Sequence, residues 1–329
     1  MDDNVIDEIL KQYPIRVTSI SFIRHNENMT YKVTDEAAGI TYLLRIHKAI
    51  TSSMSGLQHT CEGLDAEMAF LQTLHESKDA VVLTQTPVRN NSGDWVTCKT
   101  VDGEVVHSTL LQWINGRDLQ QDESLSRHQI THFGEQVGSL HQFAKSTSMS
   151  LNKVRPAYAG ITQNELMLKR LKHGVSMGIF SEIDYAALNR FFEVFNASLE
   201  TYPQTANCWG IIHADINKGN LLLTPNGIAL IDFCLFGYGY YLYDVAGSVL
   251  SLKPEERDYF LAGYLGHTAA LSAQDMKRLE GFMMVAILGY YAFHLENEDR
   301  HSWMRERMPL FCQKYCLPFV GNQSIFYTF

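Results

Sequence analysis

Ile211-Ile212-His213-Ala214-Asp215-Ile216-Asn217-Lys218-Gly219-Asn220-Leu221-Leu222-Leu223, followed by Ala229-Leu230-Ile231-Asp232-Phe233, decides the reading of this chain. Two apolar runs flank Pro225-Asn226-Gly227, a turn with glycine where a positive φ is favoured. Centring a hairpin on Asn226 pairs Thr224 with Ile228 and, by continuation, Asn220 with Asp232. Cross-strand partners of that kind have Cβ atoms ~5 Å apart on one face. An amide oxygen and a carboxylate so placed make a hard oxygen site of the sort Mg²⁺ takes, with phosphates and water completing the shell. Asp215 precedes the hairpin and can direct a second carboxylate to the same opening, to accept or orient the proton of an attacking hydroxyl.

Outward from this stretch the chain divides by texture. Before it, Ile15–Phe22, Thr30–Thr34, Ile40–His47, Ala80–Leu83, Trp95–Thr100 and Thr109–Ile114 read as strands, rich in β-branched and aromatic residues. One helix, Leu64–Glu76, interrupts them. Beyond Gly116 helical spacing takes over at Ser126–Phe143, Asn164–Lys172, Ile183–Tyr202, Pro254–Tyr264, Ala273–Glu296 and Arg305–Tyr315, around the one hairpin. The expected fold is therefore α+β and bilobal. A strand-rich N-terminal lobe with one main helix spans residues 1–111, a hinge 112–116, and a helix-rich lobe with the hairpin 117–329. A cleft at such a junction is where a small ligand binds.

Composition narrows the classes of partner. The 329 residues carry 27 Lys and Arg against 36 Asp and Glu, a net charge of −9, without the basic footprint of a duplex-binding protein. The longest apolar stretch, Gly281 to Leu295, is shorter than the ~20 residues a membrane span needs. Met1-Asp2-Asp3-Asn4 puts acid where a signal peptide needs positive charge, and six dispersed cysteines read as reduced thiols. The expectation is a cytoplasmic monomer or homodimer that binds neither nucleic acid nor membrane. Cys312 and Cys316 lie four residues apart with no second Cys or His pair nearby in sequence, so the spacing predicts no structural metal.

The His213-Ala214-Asp215, Gly219-Asn220-Leu221, Ile231-Asp232-Phe233 and Tyr243-Asp244-Val245-Ala246 segments resemble those of the aminoglycoside phosphotransferase superfamily, which includes choline kinases and homoserine kinases of the second type. Leu111-Gln112-Trp113-Ile114-Asn115-Gly116 resembles its interlobe hinge, and Gly138-Ser139-Leu140-His141 a helix motif of its C-terminal lobe. The resemblance implies a protein-kinase-like fold in which Asp215 is the catalytic carboxylate and Asn220 and Asp232 hold Mg²⁺ on the phosphates of ATP. It implies a bracing role for Asp244 and a phosphate grip by Arg45, where most relatives have lysine, paired with Glu67. Lys48 is the alternative to Arg45, and Glu62 the alternative to Glu67. Asn28 would sit at the tip of the phosphate loop Arg24–Tyr31, which has no glycine, and adenine would meet the Gln112 carbonyl and the Ile114 amide.

The implied activity is transfer of the γ-phosphate of ATP to a hydroxyl of a small molecule: an amino alcohol, a hydroxy amino acid, a sugar or an aminoglycoside-like antibiotic. A bacterial stress-response-type Ser/Thr protein kinase is the second reading, and a catalytically silent kinase-fold binding module the third. Acceptor contacts are expected from tyrosines after the hairpin (Tyr238, Tyr240, Tyr241, Tyr243) and from Tyr290, Tyr291, Glu296, Glu298, Asp299 and Trp303, since carboxylates and aromatic faces attract ammonium groups.

Overall fold

Alternation of apolar and polar side chains builds the first sheet. The computed structural model describes residues 2–25, 28–48, 56–78, 81–120, 123–147, 149–151, 154–158, 160–266 and 270–329. Asn26 and Glu27 of the expected phosphate loop, and Ala80 of an expected strand, lie outside the described residues. Six strands, β1 (Ser19–His25), β2 (Met29–Asp35), β3 (Ile40–Ile46), β4 (Pro87–Val88), β5 (Thr97–Val101) and β6 (Glu104–Gln112), form an antiparallel sheet. Their order is β1-β2-β3-β6-β4, with β5 also paired to β6.

Tyr31 and Val33 of β2, Tyr42, Leu44 and Ile46 of β3, and Val106 and Leu110 of β6 are buried against Ile6, Ile9 and Leu10 of a short helix, α1 (Asp3–Leu10). Side chains one residue out of phase point to the other face. That face receives Arg45, in register with Thr109 across the β3–β6 ladder. Against expectation, 81–83 form no strand. Leu83 instead accepts a bond from Leu230, and Pro87–Val88 supplies the pairing on β6.

By internal packing the chain divides into two units, neither continuous in sequence. The first comprises Met1–Gln120, Ser146–Pro156 and Asn220–Phe236. Besides the large sheet it contains α2 (Cys61–Glu76), whose N-cap Thr60 accepts from the Gly63 amide, and a small sheet of β7 (Arg117–Asp118), β9 (Leu221–Thr224) and β10 (Gly227–Leu230). In the β9–β10 hairpin Thr224 pairs with Gly227 and Leu221 with Leu230, so only Pro225 and Asn226 connect the strands. The expected pairing of Asn220 with Asp232 is therefore off by one: Ile231 N–H donates to the Asn220 carbonyl at 3.0 Å. A two-residue connection matches strand twist better than the three-residue loop assumed from Pro-Asn-Gly.

The second unit, Gln121–Lys145, Ala157–Gly219 and Gly237–Phe329, is mainly helical. Its helices are α3 (Arg127–Ser146), α4 (Ile161–Ser176), α5 (Glu182–Glu200), α6 (Tyr241–Leu250), α7 (Arg257–Leu265), α8 (Ala273–Phe293), α9 (His301–Phe311) and α10 (Leu317–Val320), with β8 (Trp209–Ile212) paired antiparallel to β11 (Gly237–Tyr240). Phe191, Phe195 and Leu199 of α5 and Leu279, Phe282 and Met283 of α8 are fully buried, and the Phe195 and Phe282 rings meet edge to face at 5.1 Å. Among the described residues no helix is long and apolar enough to cross a membrane.

Candidate active site

The loop that leaves β8 is held by one carboxylate. Asp244, in the first turn of α6, accepts the backbone N–H of His213 at 2.7 Å through Oδ2 and that of Ala214 at 2.8 Å through Oδ1. His141 Nε2 donates to Oδ2 at 3.1 Å, and Nδ1 of the same ring meets the Tyr264 hydroxyl at 3.0 Å. Asp244 and His141 are both 1% exposed. The clamp is needed because Ala214 sits at φ 68°, a left-handed conformation that alanine rarely adopts. α6 also comes close behind the loop, since a Cβ on Gly247 would lie 2.5 Å from the Ile216 carbonyl.

Asp215 follows the strained alanine and is part-exposed. Its N–H donates to His213 Nδ1 at 3.3 Å, and Asn217 Nδ2 donates to its Oδ1 at 2.9 Å. Through this bond the buried His213 ring braces the loop. The Tyr243 hydroxyl is pushed up by burial, then by the charges of Asp215 and Asp244, and stays neutral beside them. Asp215 is thus an oriented, partly solvated carboxylate suited to receiving a proton from a hydroxyl.

In the first unit the chain turns sharply after Ile231. Asp232 is left-handed, at φ 64° and ψ 67°, and leads into a 3-10 turn at Phe233–Leu235. This reversal takes Asp232 out of the ladder. Its Oδ2 lies 3.4 Å from Arg24 Nη2, while Oδ1 is buried with no hydrogen-bond partner among the described residues. Asn220, 7% exposed, bonds through its carbonyl to the residue just before Asp232. Behind the turn, buried Arg155 donates to the carbonyls of Phe236 at 2.8 Å and Gly63 at 3.3 Å, and also to that of Cys234. Phe70 of α2 stacks on Phe236 at 5.2 Å. Arg155 and Phe70 therefore tie the Asp232 turn to α2.

α2 also carries Glu67, which pairs with Arg45: Nη1 to Oε1 is 2.8 Å, and both side chains are almost wholly buried. Glu62 is exposed on the first turn, and Lys48 turns to Glu104 at 3.9 Å, so neither alternative takes part in this pair. Burial opposes the Arg45 charge, but Glu67 foremost outweighs it and raises the pKa above its usual value. Thr109 Oγ1 accepts from Arg45 Nε at 3.3 Å and bonds His47 Nε2 at 2.9 Å. His47 Nδ1 bonds Asn28 Oδ1 at 2.7 Å, and Asn28 Nδ2 donates to Cys234 Sγ at 3.8 Å. Burial, then the Arg45 charge, holds His47 well below the usual imidazole range, so it is neutral. Arg45 Nη2 is buried with no hydrogen-bond partner among the described residues.

An unsatisfied buried guanidinium nitrogen and an unsatisfied carboxylate oxygen are costly unless something meets them. A phosphate oxygen suits the first and a hard cation the second. Along 112–116, the Gln112 amide is spent on the Thr86 carbonyl at 2.7 Å and the Trp113 amide on Thr41 at 2.9 Å.

Residues 19–282 match the family model described as the phosphotransferase enzyme family. The chain belongs to this family. It is accordingly an enzyme, a phosphotransferase, with the kinase-like fold of that group. No curated protein sequence matches the chain. Among solved structures it is similar to a microcompartment-associated aminopropanol kinase, with 22% identity, 98% of each chain covered and a TM-score of 0.76. It is also similar to an amicoumacin kinase bound to AMP-PNP and Ca²⁺ (17% identity, 95% of this chain and 93% of that one, TM-score 0.70). A third is the choline kinase of Cryptosporidium parvum Iowa II (15% identity, 98% and 97% covered, TM-score 0.66).

Several residues of the candidate site escape a sequence reading. Arg155 lies in a segment with no periodic pattern, and its role depends on four carbonyls distant in sequence. Arg24 and His47 flank expected positions, yet the loop reading takes neither for a partner of Asp232 or Asn28. Of the expected acceptor contacts, Tyr240 and Tyr241 are 3% exposed, and Tyr240 stacks on Tyr202 at 4.9 Å, as core residues do. Tyr290 and Trp303 are both exposed, with ring centroids 5.8 Å apart.

Proposed function

We propose that this phosphotransferase moves the γ-phosphate of ATP, with Mg²⁺, to a hydroxyl of an amine-bearing small molecule. Amino alcohols come first, then hydroxy amino acids, amino sugars and aminoglycoside-like antibiotics. The observation that carries the nucleotide half is the pair of buried, unsatisfied atoms, Arg45 Nη2 and Asp232 Oδ1, in the unit that also holds Asn220. In this reading residues 1–111 are the nucleotide lobe, 112–116 the hinge that meets adenine through the Gln112 carbonyl and Ile114 amide, and 117–329 the catalytic lobe.

Asn220 and Asp232 would hold the metal, Arg45 would grip the phosphates with Glu67 behind it, and Asn28 would fix the loop above them. The bound ion supplies neutralisation of phosphate charge, which phosphoryl transfer needs more than covalent help. Asp215 accepts the proton of the acceptor hydroxyl at its carboxylate, held in orientation by Asn217. Arg24, 3.4 Å from Asp232 Oδ2, would have to give up that contact for the carboxylate to hold a cation. The acceptor class is supported by the names of the similar structures and by the exposed Tyr290 and Trp303 rings near Glu298 and Asp299 in sequence, which suit an ammonium group.

A screen of ATP consumption by the purified protein over amino alcohols, hydroxy amino acids, sugars, antibiotics and a generic protein substrate tests the reading. Turnover on an amine-bearing alcohol that is lost in Asp232→Asn supports it. Turnover on the protein substrate alone, or unchanged Mg·ATP affinity in Asp232→Asn, overturns it.

A further inference from the structure

Cys61, Cys98 and His107 are far apart in sequence, and the cysteine spacing alone hides them. The fold brings them together: one ligand-type atom from each lies within 4.8 Å of the other two. Two structural facts produce this. Cys98 of β5 and His107 of β6 are direct cross-strand partners, so their side chains share a face. Cys61 opens α2, and that helix start is pressed against the 3-10 turn Leu57–His59, because a Cβ on Gly63 would lie 2.0 Å from the Leu57 carbonyl. The same turn supplies the His59 carbonyl, 3.3 Å from His107 Nδ1.

We propose that Cys61, Cys98 and His107 form a binding site for Zn²⁺, separate from the site of phosphoryl transfer. The donor set is two sulfurs and one imidazole nitrogen, which soft, borderline cations prefer and Mg²⁺ and Ca²⁺ avoid. Bond lengths of about 2.3 Å to sulfur and 2.0 Å to nitrogen around a tetrahedral ion put ligand atoms about 3.5–3.8 Å apart, below the 4.8 Å within which these three atoms lie. The His59 carbonyl takes one ring N–H and so fixes the imidazole tautomer, the usual second partner of a metal-bound histidine. With three protein ligands, a water would complete a tetrahedral set, and Cys98 is exposed to solvent. Both thiols give up their protons to solvent on binding, and no electron is transferred. The ion would staple the first turn of α2 to the β5–β6 strands, on the helix that carries Glu67 six residues further on.

The test uses the whole reduced protein, stripped of metal by a chelator and titrated with Co²⁺ in excess Mg²⁺. The expected result is a thiolate-to-cobalt charge-transfer band with tetrahedral visible bands, saturating at one equivalent and abolished by Zn²⁺. Cys98→Ser removes an exposed thiol and should weaken Co²⁺ binding on the order of 100-fold or more, since even outer-shell changes cost 10–100-fold. Zn²⁺ should also shield Cys61 and Cys98 from alkylation, mapped by peptide mass. A reduced wild-type protein with no such spectrum overturns the proposal. So does a spectrum that survives in Cys98→Ser, or alkylation of both cysteines that Zn²⁺ leaves unchanged.

Discussion

Arg45 and Glu67 illustrate how much rests on single side chains. The pair is buried, and removing one member strands the other charge, which costs about 3–5 kcal/mol. Glu67→Ala should therefore lower unfolding stability by about that amount in urea titrations, whereas a surface change such as Glu193→Ala should stay within about 0.5 kcal/mol. Asp215 is part-exposed, and in the proposed reading its carboxylate receives the proton of the acceptor hydroxyl. Asp215→Ala should reduce turnover by on the order of 10²–10⁴-fold with nucleotide binding and melting temperature nearly unchanged, as stopped-time assays and calorimetry would report.

His47 gives a pH signature. Its folded pKa lies well below the ordinary value and that of His59 below it too, both chiefly through burial. The unfolded chain therefore binds more protons than the native one below about pH 6.5. Their contribution is fully present above that pH and is lost as the pH falls. Thermal melts should show stability dropping below about pH 6.5, and the drop should be shallower in His47→Gln.

At the level of elements, the loop from His213 to Asp215 stands on the start of α6. Asp244→Ala leaves two buried backbone N–H groups without an acceptor, each worth about 1–3 kcal/mol, and releases a left-handed alanine. The variant should lose about 2–4 kcal/mol of stability along with turnover, and denaturant titration would measure the first. This bracing is the role the sequence motif implies for Asp244.

The long strands and long helices are legible because apolar periodicity survives wherever one face is buried, as in Tyr31-x-Val33 or the α5 phenylalanines, whereas the strand expected at 80–83 is not formed by 81–83. The hairpin register is not legible. Pro225-Asn226-Gly227 permits either a two- or a three-residue connection, and a one-residue slip changes every partner. Asp232 leaves the ladder through a left-handed backbone that no residue pattern announces. α1 was missed because eight residues with three apolar positions are a weak signal until the sheet they cover is known. The Cys61, Cys98 and His107 cluster was invisible for a related reason, since it depends on strand register and on a helix start.

For the molecule as a whole, the discontinuity of the first unit has a consequence for how the protein is made. Arg155 follows the last strand of the large sheet, which ends at Gln112, by 43 residues, and Asp232 follows it by 120. A nascent chain extended to Gln120 has the strands, α2 and the Arg45–Glu67 pair, but neither the arginine that ties α2 to the Asp232 turn nor the turn itself. The first unit therefore cannot close until residue 236 has left the ribosome, even though most of its residues emerge first. A fragment of residues 1–120 should be poorly soluble and lack a cooperative melt, while adding the rest of the chain in trans as residues 121–329 should restore soluble, nucleotide-protected protein. Calorimetry and limited proteolysis of the fragments would report both outcomes. In a cell, the later half of the message would then act as the folding partner of the earlier half, and a ribosome stalled between codons 120 and 220 would hold an open sheet.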